Sequence, residues 1–120
     1  MNHLVRTATG DILVEKLLVR ATFWGRLRGL LFHRELGAGA AMLLVDTKRV
    51  HTHGMLFPLD LYFFDNSMRL IDSKHLVTPW RWPESPKGTH HVLEVRHRTA
   101  TGPLRLDIGE QVSILWRIRS

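Results

Sequence analysis

The side chains best suited to chemistry in this chain are its eight histidines and one misplaced acid; there is no cysteine. The acid is Asp60, set in Pro58-Leu59-Asp60-Leu61-Tyr62-Phe63-Phe64, a run otherwise fit for a buried strand. A buried carboxylate costs several kcal/mol unless it is paired or hydrogen-bonded. Strand alternation puts Asp60, Tyr62 and Phe64 on one face and Leu59, Leu61 and Phe63 on the other. Two readings follow. Either that face is partly wet and Asp60 caps a neighbouring loop, or Asp60 stands opposite Arg26 or His53 in a small polar pocket suited to an anion or a sugar. Arg26 is the preferred partner, because it falls on the polar side of the one helix the sequence predicts.

Among the histidines, His51 and His53 have the spacing of neighbours on one strand face, ~6–7 Å apart. Two imidazoles so placed could chelate a divalent metal if a third ligand came from elsewhere. A cupin would need a glutamate shortly after the second histidine, and Phe57 and Pro58 stand there instead. The plainer reading is that backbone groups beside Gly54 satisfy both rings, so no resident cofactor is expected and metal at His51 and His53 is the alternative. Arg26, His51, His53, Met55 and Asp60 form the expected ligand-binding set. No serine has a nucleophile-elbow context, and Gly37-Ala38-Gly39 lacks the spacing of a phosphate-binding loop.

These residues must be positioned by elements, and the apolar segments are short, with turn signals about every eight to twelve residues, the rhythm of an all-β sandwich or barrel. Expected strands are 4–7, 12–14, 17–20, 41–45, 49–53, 59–64, 68–76, 91–95, 104–106 and 112–117. One segment differs: Phe23, Leu27, Leu30 and Leu31 recur at helical spacing behind Thr22, a suitable N-cap. The expected fold is therefore mostly β, a compact β-sandwich or barrel of short, mainly antiparallel strands with one short α-helix near residues 22–32. Residues 78–90 read as a loop, since Pro79, Pro83, Pro86 and Gly88 disfavour a strand. Its Trp80 and Trp82 either pin the loop to the core or make it functional. Arg6-Thr7-Ala8-Thr9-Gly10 is echoed at Arg98-Thr99-Ala100-Thr101-Gly102, which we take as two similar turns.

Composition sets the outer bounds. The chain has 120 residues, 44% hydrophobic and 23% charged, ordinary values for one globular domain spanning 1–120. The longest apolar run, Ala38 to Val45, falls far short of the ~20 residues of a membrane helix. The first residues lack the apolar core of a signal peptide, so the expected location is the cytoplasm. Seventeen Lys and Arg against 11 Asp and Glu give +6 and a pI near 10.8. Such a charge suits nucleic acid or a small anionic ligand as partner, but no block of like charge occurs. The densest candidate is Arg96-His97-Arg98, which with Trp80 and Trp82 could hold a single strand.

Four stretches carry a family resemblance: Arg26-Leu27-Arg28-Gly29-Leu30-Leu31-Phe32; Met42-Leu43-Leu44 with Val50-His51-Thr52-His53-Gly54-Met55 and Phe57-Pro58-Leu59-Asp60; Val92-Leu93-Glu94-Val95; and Gly109-Glu110-Gln111-Val112. Together they resemble the domain of unknown function 192, also called uncharacterised protein family 0127. The resemblance implies a compact β fold with a single helix and implies no activity. This chain departs from the family pattern at Arg96-His97-Arg98, where a proline-alanine-glycine turn is usual, and at His33, where arginine is usual. The functional expectation is thus a ligand-binding or accessory module with a polar pocket around the histidine and aspartate motif. The alternatives are a metal-assisted enzyme using His51, His53 and Asp60, and a nucleic-acid binder.

Overall fold

The four residues Thr7-Ala8-Thr9-Gly10 reverse the chain because Gly10 takes φ +77°, a left-handed conformation that costs a residue without Cβ almost nothing. Its N–H donates to the Arg6 carbonyl at 2.7 Å, and Arg6 N–H to the Asp11 carbonyl at 2.9 Å. The computed structural model describes residues 2–20, 40–52, 55, 57–99 and 102–116. Within them are seven strands: β1 (Asn2–Arg6), β2 (Ile12–Arg20), β3 (Ala40–Leu44), β4 (Leu59–Phe64), β5 (Leu70–Val77), β6 (His91–Arg96) and β7 (Val112–Leu115). They form one sheet in the order β5-β4-β6-β3-β2-β1-β7. Every pairing is antiparallel except β2 with β3.

The sheet curls until its two edges meet at one end. Arg69 and Gln111 form a bridge. Beside it, Leu70 N–H donates to the Glu110 carbonyl at 2.9 Å and Val112 N–H to the Met68 carbonyl at 3.0 Å. Glu110 steadies this corner: its carboxylate accepts from Arg6 at 2.6 Å and from the Asp107 N–H at 2.8 Å. The Asp107 bond, and then Arg6, hold its pKa below the usual carboxylate value.

Curling gives the sheet an inside and an outside, and both are packed. The inner cluster draws on every strand, with Leu4, Val14, Leu43, Tyr62, Phe64, Leu70, Leu93 and Val112 among its members. The outer cluster sets Met42, Leu44, Leu61, Phe63 and Val92 against Val50, Met55 and Phe57. β3 and β4 are therefore buried at every position, which explains why both read as continuous apolar runs rather than alternations.

The sequence reading needs three adjustments, at 12–20, 49–53 and 104–106. Residues 12–14 and 17–20 belong to a single strand, because Glu15 and Lys16 are simply its exposed positions. Neither the described part of 49–53 nor 104–106 is a strand. The expected helix at 22–32 lies outside the described residues. Residues 78–90 have no regular structure, as their prolines require.

Candidate functional site

Asp60 is 2% exposed, so the sequence anomaly is a buried carboxylate in fact. Its surroundings come from an irregularity in the neighbouring strand. Leu59 pairs with Val77 and Leu61 with Lys74, so Asp60 alone faces two residues, His75 and Leu76, across a β-bulge. Leu76 has φ +56°, the left-handed region that a side-chain-bearing residue rarely adopts. What holds it there is Asp60: the Leu76 N–H donates to Asp60 Oδ1 at 2.9 Å.

From the opposite side, the chain leaving β6 brings His97 to the same oxygen, with Nδ1 at 2.8 Å. The His97 N–H donates to the Pro58 carbonyl at 3.0 Å, which fixes the backbone that carries the ring. An ionised carboxylate only accepts, so His97 donates from Nδ1 and its Nε2 is left for other chemistry. His75 Nδ1 stands 3.6 Å from Oδ1, too far for a hydrogen bond, and its Nε2 meets Ser73 Oγ at 3.1 Å. The His75 ring presents an edge contact to Tyr62, with centroids 5.7 Å apart. Both imidazoles address one carboxylate oxygen rather than a shared empty point. Among the described residues no three metal-ligating side chains converge.

Tyr62, two residues along the same face, accepts the Leu104 N–H on its hydroxyl at 2.9 Å. Burial pushes its pKa up to about 12; the Leu104 bond pulls the other way and the Asp60 charge adds to the rise. Asp60 and Tyr62 line a cleft of about 390 Å³, walled by Leu13, Val95 and Leu104 and edged by Arg98. That volume falls within the range of small-molecule sites, and mostly apolar walls with a few polar groups are their usual make-up. Among the described residues no acid pairs with Arg98.

Of the expected ligand-binding set, His51, Met55 and Asp60 lie among the described residues. Asp60 is where the sequence put it, but Arg26, its expected partner, and His53 lie outside the described residues. His51 is not on a strand, and its ring lies 4.9 Å from that of Trp82. Met55 is buried in the outer cluster. Trp80 and Trp82 are 69% and 64% exposed, so they do not pin their loop to the core. Thr52 does: its N–H donates to the Arg81 carbonyl at 2.9 Å, and its hydroxyl donates to the Thr78 carbonyl and accepts from Arg81 N–H. The basic triplet also splits, since Arg96 lies over the Phe57 ring at 4.4 Å while His97 turns to Asp60. Sequence reasoning missed His75 and His97 as partners of Asp60. It noticed His97 only within Arg96-His97-Arg98, as a departure from the family pattern and as a basic triplet for a single strand, and it missed the burial of Glu94.

A family profile, described as "Uncharacterized ACR" and known as domain of unknown function 192, matches residues 5–114. A "UPF0127 protein" of Thermococcus sibiricus is 25% identical over 96% of this chain and 75% of its own length. Two crystal structures share the fold. A protein of unknown function from Novosphingobium aromaticivorans has a TM-score of 0.72 at 21% identity, covering 93% of this chain and 82% of its own. A Sinorhizobium meliloti protein described as a "putative transcription regulator" has a TM-score of 0.70 at 16% identity, covering 93% and 90%. Among the described residues no helix is long and apolar enough to cross a membrane.

Proposed function

This chain belongs to the domain of unknown function 192 family, which brings no activity with it, and from the geometry of the cleft we propose that it is a binding module for a small organic anion. The observation that carries this reading is that Asp60, Tyr62 and Arg98 border one cleft of about 390 Å³. Asp60 already has its partners in His97 and the Leu76 N–H, whereas Arg98 has no acid against it among the described residues. A carboxylate or phosphate on the ligand would take the guanidinium, whose planar fork suits such groups. The ligand's apolar body would cover Leu13, Val95 and Leu104.

Titration of the protein with benzoate, followed by backbone amide shifts, tests this. Saturable shifts at Leu13, Tyr62 and Leu104 are expected, and Arg98→Gln should weaken binding roughly 10- to 100-fold, the scale of a hydrogen bond to a charged group. Shifts scattered over the surface, or an affinity that Arg98→Gln leaves unchanged, would defeat the reading. A net charge of +6 and the description of the Sinorhizobium protein suggest nucleic acid instead. That reading asks Arg96, His97 and Arg98 to face outward together, and the first two are engaged with Phe57 and Asp60.

A further inference from the structure

The loop after β5 presents a second set of groups that the cleft does not use. Two tryptophans stand out from it, 69% and 64% exposed at positions 80 and 82. Burying an indole is worth a few kcal/mol, so an exposed pair on a floppy segment would fold inward. This segment is held. Trp80 has φ +65°, a conformation in which a bulky residue is an outlier, and its N–H donates to the Thr52 carbonyl at 3.1 Å. Thr52 is itself 1% exposed and carries the further bonds to Thr78 and Arg81. The indoles are thus presented rigidly, which lowers the entropy a ligand must overcome.

Trp82 forms one wall of a groove of about 210 Å³ shared with Arg49, Glu84 and Ser85. Arg49 and Glu84 carry opposite charges, yet among the described residues neither has an ion-pair or hydrogen-bond partner. They face one groove without meeting. Ser85 Oγ is buried there, also without a partner, and a buried polar atom so placed calls for an explanation.

We propose that this groove is a carbohydrate-binding subsite, with Trp82 as the stacking platform for a neutral pyranose and Arg49, Glu84 and Ser85 as partners for its hydroxyls. Three features select that chemistry. The C–H face of a pyranose is apolar and flat enough to lie on an indole, which a tryptophan offers at little conformational cost. Sugar hydroxyls both donate and accept, so one ring can satisfy a guanidinium and a carboxylate that do not reach each other. Arg49 and Glu84 balance in charge, which suits a neutral ligand and disfavours a phosphate chain.

Isothermal titration of the full chain with cellohexaose, chitohexaose and maltohexaose, each to about 10 mM, provides the test, with oligo-dT of fifteen residues as a separate arm. At least one sugar should bind saturably, and Trp82→Ala should weaken it roughly tenfold or more, as loss of a stacked aromatic does. Glu84→Gln should weaken the same sugar in a variant whose change lies wholly on the surface. Raising NaCl from about 50 to about 300 mM should leave the affinity nearly constant, because a neutral ligand releases no counterions. Absence of binding by all three sugars would overturn the proposal, as would unchanged affinity in Trp82→Ala. Salt-sensitive binding of oligo-dT lost in Trp82→Ala would overturn it in favour of nucleic acid. Arg98→Gln should not alter sugar binding, so the outcome is separable from that of the anion cleft.

Discussion

Asp60 shows how one side chain can be both a liability and a joint. Its Oδ1 gathers the Leu76 N–H and His97 Nδ1, so removing the carboxylate strands two donors, while removing the imidazole strands a buried charge. Asp60→Ala should therefore destabilise by about 3–5 kcal/mol, as breaking a buried pair does. In urea denaturation, Asp60→Ala combined with His97→Ala should cost clearly less than the two singles added together; strict additivity would show that the pair is not coupled. The apolar run around Asp60 marked it as an anomaly but left open whether its face was wet or closed. Its partners were not legible, since His97 and Leu76 arrive from separate strands and only the register of β5 and β6 brings them to one oxygen. Tyr62 carries a pH consequence. Its pKa near 12 lies above the ~10 of an exposed phenol, so the folded state disfavours the phenolate. Stability is complete below pH 10 and falls by roughly 2–3 kcal/mol as pH rises from 10 through 12. Tyr62→Phe should lack this component, read as the difference between the two pH–stability curves.

Among the elements, the strands whose both faces are covered were the easiest to read: β4 occupies 59–64, as its apolar run between turn signals indicates. The bulge opposite Asp60 left no mark in the sequence, because His75 and Leu76 are ordinary strand residues and the extra position exists only relative to β4. The loop at 78–90 was recognisable from its prolines, yet the residue that anchors it, Thr52, lies in a segment read as strand. Thr52→Val keeps the volume and deletes the hydroxyl that bonds Thr78 and Arg81. It should cost about 1–3 kcal/mol, the penalty for leaving buried partners unsatisfied. Because the loosened loop carries Arg81 and Lys87, limited trypsin digestion should cut there several-fold faster than in the parent chain. Equal cleavage rates would mean that other contacts hold the loop.

For the molecule as a whole, alternation and turn spacing gave the mostly β class, and the mainly antiparallel pairing agrees. They could not give the strand order, since β6 inserts between β3 and β4, a long-range choice made by packing on both faces. The same order gives the first strand two neighbours of very different age. β1 pairs on one side with β2, which follows it almost at once, and on the other with β7, whose residues 112–115 pair with 3–6. During synthesis at ~5–20 residues per second, β2 is ready within seconds, while β7 leaves the ribosome roughly 5–20 s after β1. Throughout that interval β1 is a sheet edge whose inward-facing Leu4 has no Ile114 beside it, the condition under which strands pair with a neighbouring chain. The nascent protein is thus exposed to misassembly along β1 until β7 emerges to cover it.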